Sequence, residues 1–139
     1  MKLSPAVQKA YKQALSARTH SYSPYSRFAV GAAIQLAGKG QAIGGCNIEN
    51  ASFGGTICAE RVALHAAIAA NGKIKPEFMV IVTGEAKATV PCALCLQTLA
   101  EFCADDFTIY LGNEKSILQK LTLAELLPHP FRSFKKDGK

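Results

Sequence analysis

Two short cysteine motifs carry the residue types with which this chain could do chemistry. The first is Cys-Ala-Glu-Arg at 58–61, and the second is Pro-Cys-Ala-Leu-Cys at 91–95. Three thiolates can hold a zinc ion while leaving its fourth tetrahedral position open, as a catalytic zinc requires. A carboxylate beside such a metal, here Glu60, can move protons between a water and a substrate. The motifs therefore predict a hydrolytic zinc site, and the predicted zinc ligands are Cys58, Cys92 and Cys95.

Each motif opens a predicted helix, and this position determines whether the side chains can converge. In the middle of a helix Cys58 and Glu60 would diverge, because successive residues are about 100° apart around the axis. At a helix start each Cα–Cβ bond leans toward the N-terminus, so side chains of the first turn can meet above the helix end. Cys92 and Cys95 are three residues apart and share one face. Two facing helix starts would also favour the thiolate form of the cysteines.

Arg61 is predicted to tune the metal without binding it. Three thiolates carry more negative charge than Zn²⁺ neutralises, and such an electron-rich zinc acidifies water poorly. Arg61 lies in the first turn after Cys58, where its guanidinium could donate to the sulfur atoms. The first motif therefore contains its own compensating cation.

The cysteines have two alternatives to a catalytic zinc. A closed structural zinc would need a fourth ligand from Cys46, Cys103 or a histidine. His65 is on the helix face of Cys58 but about two turns away, so we expect a surface or core histidine. A thioredoxin-like use of the Cys-x-x-Cys at 92–95 would leave the first motif unexplained. Catalytic zinc is the favoured interpretation.

Charge and cysteine count restrict the class of protein. The formal net charge is +6, but the basic residues are scattered, whereas a nucleic-acid footprint would be concentrated on one face. The one tight basic cluster belongs to a predicted flexible tail at 132–139. It consists of Lys135, Lys136 and Lys139. We therefore expect neither a nucleic acid nor, without an apolar run of about 20 residues, a membrane as partner.

The five cysteines are an odd number, which does not suit a secreted disulfide framework. Residues 1–6 lead into a polar helix pattern without the apolar segment of a signal peptide, so we expect none. We therefore expect a cytoplasmic protein, with Cys46 and Cys103 buried as small apolar residues.

Periodicity and capping signals predict the elements that must position the motifs. The predicted helices are 5–17, 59–70, 92–103 and a short one after a capping box at 122–125. The predicted strands are 28–36, 42–48, 78–83 and 107–111. The length of 139 residues suits a single domain spanning 1–139. The expected fold is a three-layer α/β/α sandwich around a mixed central sheet of about five strands, four of them assigned here.

The two motifs together resemble the signature of zinc nucleobase deaminases, and the whole chain resembles the short, three-cysteine class of cytidine deaminase. Three further segments carry the resemblance: Ser-Pro-Tyr-Ser-Arg-Phe-Ala-Val-Gly-Ala-Ala at 23–33, Gly-Cys-Asn-Ile-Glu-Asn-Ala-Ser-Phe-Gly at 45–54, and Leu-Leu-Pro at 126–128 followed by Phe131. The resemblance implies one Zn²⁺ per subunit and a homotetramer with composite active sites. The implied reaction converts cytidine or 2′-deoxycytidine and water to uridine or 2′-deoxyuridine and ammonia, in pyrimidine salvage.

The resemblance also implies the residues that would bind the nucleoside. Asn47 and Glu49 match a ribose-binding pair, and residues two apart on a strand face the same side, so both could hold a 3′-hydroxyl. Phe28 matches a ring that packs on the pyrimidine. Phe131 matches a ring that reaches the base from a neighbouring subunit.

Three backbone or side-chain groups beside the zinc ligands are implied to act on the base. The backbone N–H of Ala59 would donate to the pyrimidine O2, and the carbonyl oxygen of Val90 would accept from the amino group. Glu60 would protonate N3 and then the leaving nitrogen.

The chain departs from the family pattern at three positions. Leu96 follows the last zinc cysteine where the family commonly has Arg, which leaves Arg61 to supply more of the positive charge. Gly55 stands where a larger apolar residue is common, and Phe53 where Tyr is common. These departures bear on rate and stability more than on reaction type.

The substrate class has alternatives. A deaminase could act on an aminonucleoside antibiotic or on a base within nucleic acid, and a structural zinc protein could use the same cysteines. Glu49 beside the sugar would repel a phosphate, so free nucleosides are the favoured substrates and nucleotides are expected to be poor ones.

Overall fold

The computed structural model describes residues 1–133, in which four helices surround one sheet. The helices are α1 (Pro5–Arg18), α2 (Ala59–Asn71), α3 (Ala93–Phe102) and α4 (Leu123–Leu126), with a short 3-10 turn at Phe53–Gly55. The strands are β1 (Gly31–Leu36), β2 (Ile43–Cys46), β3 (Pro76–Thr83), β4 (Thr108–Asn113) and β5 (Ile117–Thr122). Of the predicted tail at 132–139, residues 134–139 lie outside the described residues. No helix within 1–133 is both long enough and apolar enough to cross a membrane.

The sheet is mixed, with the strand order β2-β1-β3-β4-β5. β3 and β4 are parallel, and the other neighbouring pairs are antiparallel. A parallel pair needs a crossover connection, and α3 supplies it between β3 and β4. The second cysteine motif therefore lies beyond the carboxyl end of a central strand.

Helices cover both faces of the sheet, as the three-layer prediction requires. α1 packs through Val7, Ala10 and Ala14 on one face, against a patch that includes Ala33 and Val80. The other face carries α2, α3 and α4 and holds the larger core cluster, which includes Leu64, Leu99 and Leu123. The predicted α/β/α sandwich is confirmed, and most of its apolar side chains lie on the face that carries the cysteines.

Two adjacent glycines let both helix layers approach β2 closely. A Cβ on Gly45 would lie 2.4 Å from the nitrogen of Ala63 and 2.7 Å from the oxygen of Ala59, both backbone atoms of α2. A Cβ on Gly44 would meet side chains of α1, with Gln13 Nε2 at 3.0 Å and Ala17 Cβ at 3.2 Å. The first turn of α2 therefore rests directly on the backbone of β2.

Element boundaries differ from the sequence prediction at the edges of the sheet. The strand predicted at 28–36 begins at Gly31, and the strand predicted at 42–48 ends at Cys46. Beyond Cys46 the chain leaves the ladder, and Ile48 instead forms single bridges with Tyr22 and Ile57. The unassigned fifth strand is β5, an edge strand whose central residues are exposed, so no apolar alternation indicates it.

Candidate metal centre and substrate pocket

The starts of α2 and α3 face each other and bring three thiols together. Cys58 is the N-cap of α2, Cys92 is the N-cap of α3, and Cys95 lies in the first turn of α3. Their sulfur atoms all lie within 4.8 Å of one another, and those of Cys58 and Cys92 are 4.0 Å apart. The convergence predicted from helix-start geometry is confirmed.

This arrangement fits a tetrahedral zinc ion. Zn–S bonds of about 2.3 Å place two sulfur ligands about 3.8 Å apart, close to the separation of Cys58 and Cys92. Among residues 1–133 no fourth cysteine, histidine, aspartate or glutamate joins the group. His65 is exposed and Cys103 is buried elsewhere, while Cys46 is only half-buried, contrary to the prediction. The donor set therefore leaves one position open, as in a catalytic site.

Hydrogen bonds among the cysteines and with Arg61 shift the pKa values of the thiols. A hydrogen bond with Cys95 is the largest cause that holds the pKa of Cys58 at about 5; burial opposes it, while Arg61 and Cys92 lower the pKa further. The pKa of Cys95 is raised above its ordinary value, chiefly by the same hydrogen bond. Arg61 Nη2 lies 3.8 Å from the sulfur of Cys58. Leu96 instead packs in the core, so the departure at this position puts no charge near the sulfurs.

Glu60 is buried beside the thiols, with 6% of its surface exposed. Burial is the main cause that raises the pKa of its carboxyl group to about 7, and the charge of Cys58 adds to the shift. A carboxyl group that titrates near neutral pH can both accept and return a proton. The side chain therefore has the environment that its predicted acid/base role needs.

A cavity of about 550 Å³ opens above the cysteines and connects them to most of the predicted substrate-binding residues. Its lining includes Phe28, Asn47, Glu49, Cys58, Glu60, Val90 and Cys92. Ala59 is buried at the first position of α2, next to this lining. Phe131 is not among the lining residues and is 59% exposed. Its backbone is hydrogen-bonded to the amide side chain of Gln97, with N···Oε1 at 3.1 Å and Nε2···O at 2.6 Å.

Asn47 is buried, and its side-chain amide forms hydrogen bonds with three other residues of the chain. Its Oδ1 accepts hydrogen bonds from the backbone N–H of Val30 at 2.9 Å and from the hydroxyl of Ser21 at 2.5 Å. Its Nδ2 donates to the carbonyl oxygen of Phe28 at 2.7 Å. The carbonyl oxygen of the amide is thus occupied, and one N–H of Nδ2 is left to donate to a ligand.

Several lining residues were missed by the sequence prediction. Ser26 lines the cavity from the loop that leads to Phe28, and its backbone N–H donates a hydrogen bond to the carboxylate of Glu49. Thr83 and Thr89 also line the cavity, and their hydroxyl oxygens are 3.4 Å apart. A usable signal existed for Thr83, because ligands tend to bind beyond the carboxyl ends of strands in α/β sheets.

Comparison with known proteins identifies the family. Residues 5–111 match the family described as "Cytidine and deoxycytidylate deaminase zinc-binding region". The cytidine deaminase of Halalkalibacterium halodurans is 44% identical over 124 residues, which cover 89% of this chain and 92% of that protein. The cytidine deaminase of Sporosarcina psychrophila is 39% identical over 125 residues, which cover 90% of each chain. The chain belongs to the cytidine and deoxycytidylate deaminase zinc-binding family.

Solved structures agree with this assignment. The crystal structure of cytidine deaminase from Burkholderia pseudomallei superposes with a TM-score of 0.83 at 34% identity, covering 89% of this chain and 98% of that one. Cytidine deaminase from Mycobacterium tuberculosis gives a TM-score of 0.75 at 33% identity, covering 90% and 96%. The resemblance inferred from the motifs is confirmed, and the zinc-binding region of the family contains the cysteine triad, so zinc is the cofactor that this donor set fits.

Proposed function

We propose that the protein deaminates cytidine and 2′-deoxycytidine hydrolytically, giving uridine or 2′-deoxyuridine and ammonia, and that it serves pyrimidine salvage. The observation that carries the proposal is a shared cavity: Glu60 and two of the three cysteines line the same space as Phe28 and Glu49. Membership of the family and the names of the relatives support the same reaction.

Three groups near the zinc ligands would act on the base: the carboxyl group of Glu60, the N–H of Ala59 and the carbonyl oxygen of Val90. Zinc, when held by Cys58, Cys92 and Cys95, supplies a water of lowered pKa. Glu60 would take one proton from the attacking water and deliver it to N3 as the water oxygen bonds to C4. It would then take the proton of the hydroxyl group added at C4 and pass it to the amino nitrogen, so that the C4–N bond breaks and ammonia leaves. The N–H of Ala59 would donate to O2, and the carbonyl oxygen of Val90 would accept from the amino group, so that the two hydrogen bonds orient C4.

The other wall of the cavity would hold the nucleoside. Phe28 would pack against the pyrimidine, while Glu49 accepts a hydrogen bond from the 3′-hydroxyl and Asn47 donates its remaining N–H. Glu49 is 8% exposed, and a buried carboxylate repels a neighbouring phosphate more strongly than a solvated one. We therefore expect cytidine monophosphate to be a poor substrate.

The proposal includes a homotetramer whose active sites combine residues of two subunits. In support, Tyr22, Ile48 and Ile57 are adjacent through their bridges and are exposed, which is an apolar surface suited to a second copy. Phe131 projects from the C-terminal segment instead of lining the cavity of its own chain. Light scattering that shows an active monomer would remove the assembly from the proposal.

The catalytic unit would be a single cytoplasmic domain, consistent with five free thiols.

An ultraviolet assay tests the function directly. Purified protein is given cytidine, 2′-deoxycytidine and cytidine monophosphate, and bound zinc is measured in the same sample. Turnover of both nucleosides with one zinc per chain supports the proposal. A protein that holds zinc but converts none of these compounds would be a structural zinc protein or a deaminase of another substrate.

The Glu60→Gln variant tests the mechanism. The amide keeps the size of the side chain but cannot carry a proton between water and base. We expect the variant to retain zinc and thermal stability while kcat falls by about 10²–10⁴-fold, the usual contribution of general acid/base catalysis. Unchanged turnover in Glu60→Gln would refute the proposed role.

A further inference from the structure

Ser26 holds the carboxylate of Glu49 through its backbone N–H and its hydroxyl. The backbone N–H of Ser26 donates to both oxygens of the carboxylate, at 3.2 Å to Oε1 and 3.1 Å to Oε2, and the hydroxyl of Ser26 also donates to Oε1. Within residues 1–133 no other group donates a hydrogen bond to this carboxylate. A buried carboxylate without such donors would be strongly disfavoured, so Ser26 determines how Glu49 can face the cavity.

The same hydroxyl is hydrogen-bonded to Phe28, the residue proposed to pack on the base. Ser26 Oγ accepts a hydrogen bond from the backbone N–H of Phe28 at 3.0 Å. Between them, Arg27 adopts a φ of 56°, an uncommon conformation for a residue with a side chain. This reversal is closed by a hydrogen bond from the N–H of Arg27 to the carbonyl oxygen of Ser23 at 3.0 Å. One hydroxyl group thus connects the two sides of the pocket.

We propose that Ser26 is a positioning residue that fixes Glu49 against Phe28, so that the sugar and the base are bound in one fixed relation. The inference rests on the proposed function. A carboxylate has about four acceptor positions, and Ser26 occupies two at Oε1 and one at Oε2. The remaining position at Oε2 is the one that a sugar hydroxyl can use. Ser26 therefore orients the acceptor without needing to bind the nucleoside itself.

Ser26→Ala removes the hydroxyl but keeps the backbone donor, and Ser26→Thr restores a hydroxyl at the same carbon. Because one charge-assisted hydrogen bond at a partly exposed site is lost, we expect kcat/KM for cytidine to fall about tenfold in Ser26→Ala. The loss should appear in KM, while Ser26→Thr recovers most of it. Ser116→Ala, at an exposed serine in the turn between β4 and β5, is the matched control and should behave as the unmodified protein.

Two comparisons separate positioning through Glu49 from any other role of Ser26. In a Glu49→Ala background, removal of the hydroxyl should have no further effect, as expected for residues that act as one unit. With 3′-deoxycytidine, which lacks the hydroxyl that Glu49 would bind, Ser26→Ala and the unmodified protein should have equal kcat/KM. This second comparison needs no Glu49 variant and holds even if that variant does not fold.

The possible results distinguish a failure of this inference from a failure of the proposed function on which it rests. No turnover of cytidine by the unmodified protein would defeat the proposed function and this inference together. Normal turnover combined with an equal tenfold loss on cytidine and 3′-deoxycytidine would defeat the inference alone, because Ser26 would then act independently of the sugar. Normal turnover with no loss in Ser26→Ala would overturn it as well.

Discussion

Replacing Gly45 by alanine should displace the helix that begins at a zinc ligand. The added Cβ would lie 2.4 Å, 2.7 Å and 2.9 Å from three backbone atoms of Ala59 and Ala63 in α2. Backbone atoms cannot escape by changing rotamer, so the helix itself must move by roughly 1 Å to restore an ordinary contact. We expect a destabilisation of about 3 kcal/mol, the upper end of the usual cost of overpacking.

The same displacement should weaken zinc binding. A zinc site tolerates errors of about 0.2 Å in its metal–ligand distances, and Cys58 immediately precedes the first turn that is pushed away. Thermal unfolding should show a fall in Tm of about 10 °C, since about 3 kcal/mol is divided by the unfolding entropy of a chain this size. Competition with a chromogenic chelator should show faster loss of zinc at constant protein concentration.

Gly44→Ala is the matched control, because both variants gain the same rigidity in the unfolded chain. Its Cβ meets the flexible side chain of Gln13 at 3.0 Å and the methyl group of Ala17 at 3.2 Å, on the other face of β2. We expect its stability to stay within about 1 kcal/mol of the unmodified protein and its zinc release to be unchanged. Equal effects of the two substitutions would refute the close-approach argument.

Two further predictions concern contacts around the site. Arg61→Gln removes the cation 3.8 Å from the sulfur of Cys58 and should weaken zinc binding about 10–100-fold. Arg132→Gln is its control, since Arg132 forms an ion pair with Asp105 and donates hydrogen bonds to the carbonyl oxygens of Ala100 and Cys103, not to a zinc-binding cysteine; equal zinc loss in both would contradict charge compensation. Gln97→Ala removes the two hydrogen bonds that Gln97 makes with the backbone of Phe131. It should lower kcat/KM for cytidine with a stability change of about 1 kcal/mol. Gln119→Ala, at an exposed position of β5, is the control. Equal activity of the two variants would count against a role for the segment that contains Phe131.

The sequence predicted the metal site well because local rules determine it. Ser4 caps α1 as predicted, with its hydroxyl 3.3 Å from the N–H of Val7, and Thr122 with Glu125 forms the predicted capping box. Since the cysteines stand at such starts, helix geometry alone predicts that they can converge. Which two helices face each other follows from the strand order of the sheet, and the sequence did not predict that order.

Other features depended on contacts between distant segments. Ser26 and Glu49 meet across 23 residues, and no local spacing rule indicates such a pair. Asn47 was predicted to bind ribose, yet most of its amide is used to hold the chain around Val30. β5 has too few buried positions to show a strand pattern, and it is defined by its pairing with β4.

The two cysteines that begin α2 and α3 occupy positions where other proteins place a capping residue. Cys58 and Cys92 both have the extended backbone of an N-cap, and neither side chain caps its helix with a hydrogen bond. A serine, threonine, aspartate or asparagine at such a position would typically stabilise a helix by about 1 kcal/mol. The chain gives up this stabilisation at two helices that meet at one point. At these two residues the chain therefore loses helix-capping stability and gains metal ligands, and bound metal is what can hold the two helix ends together.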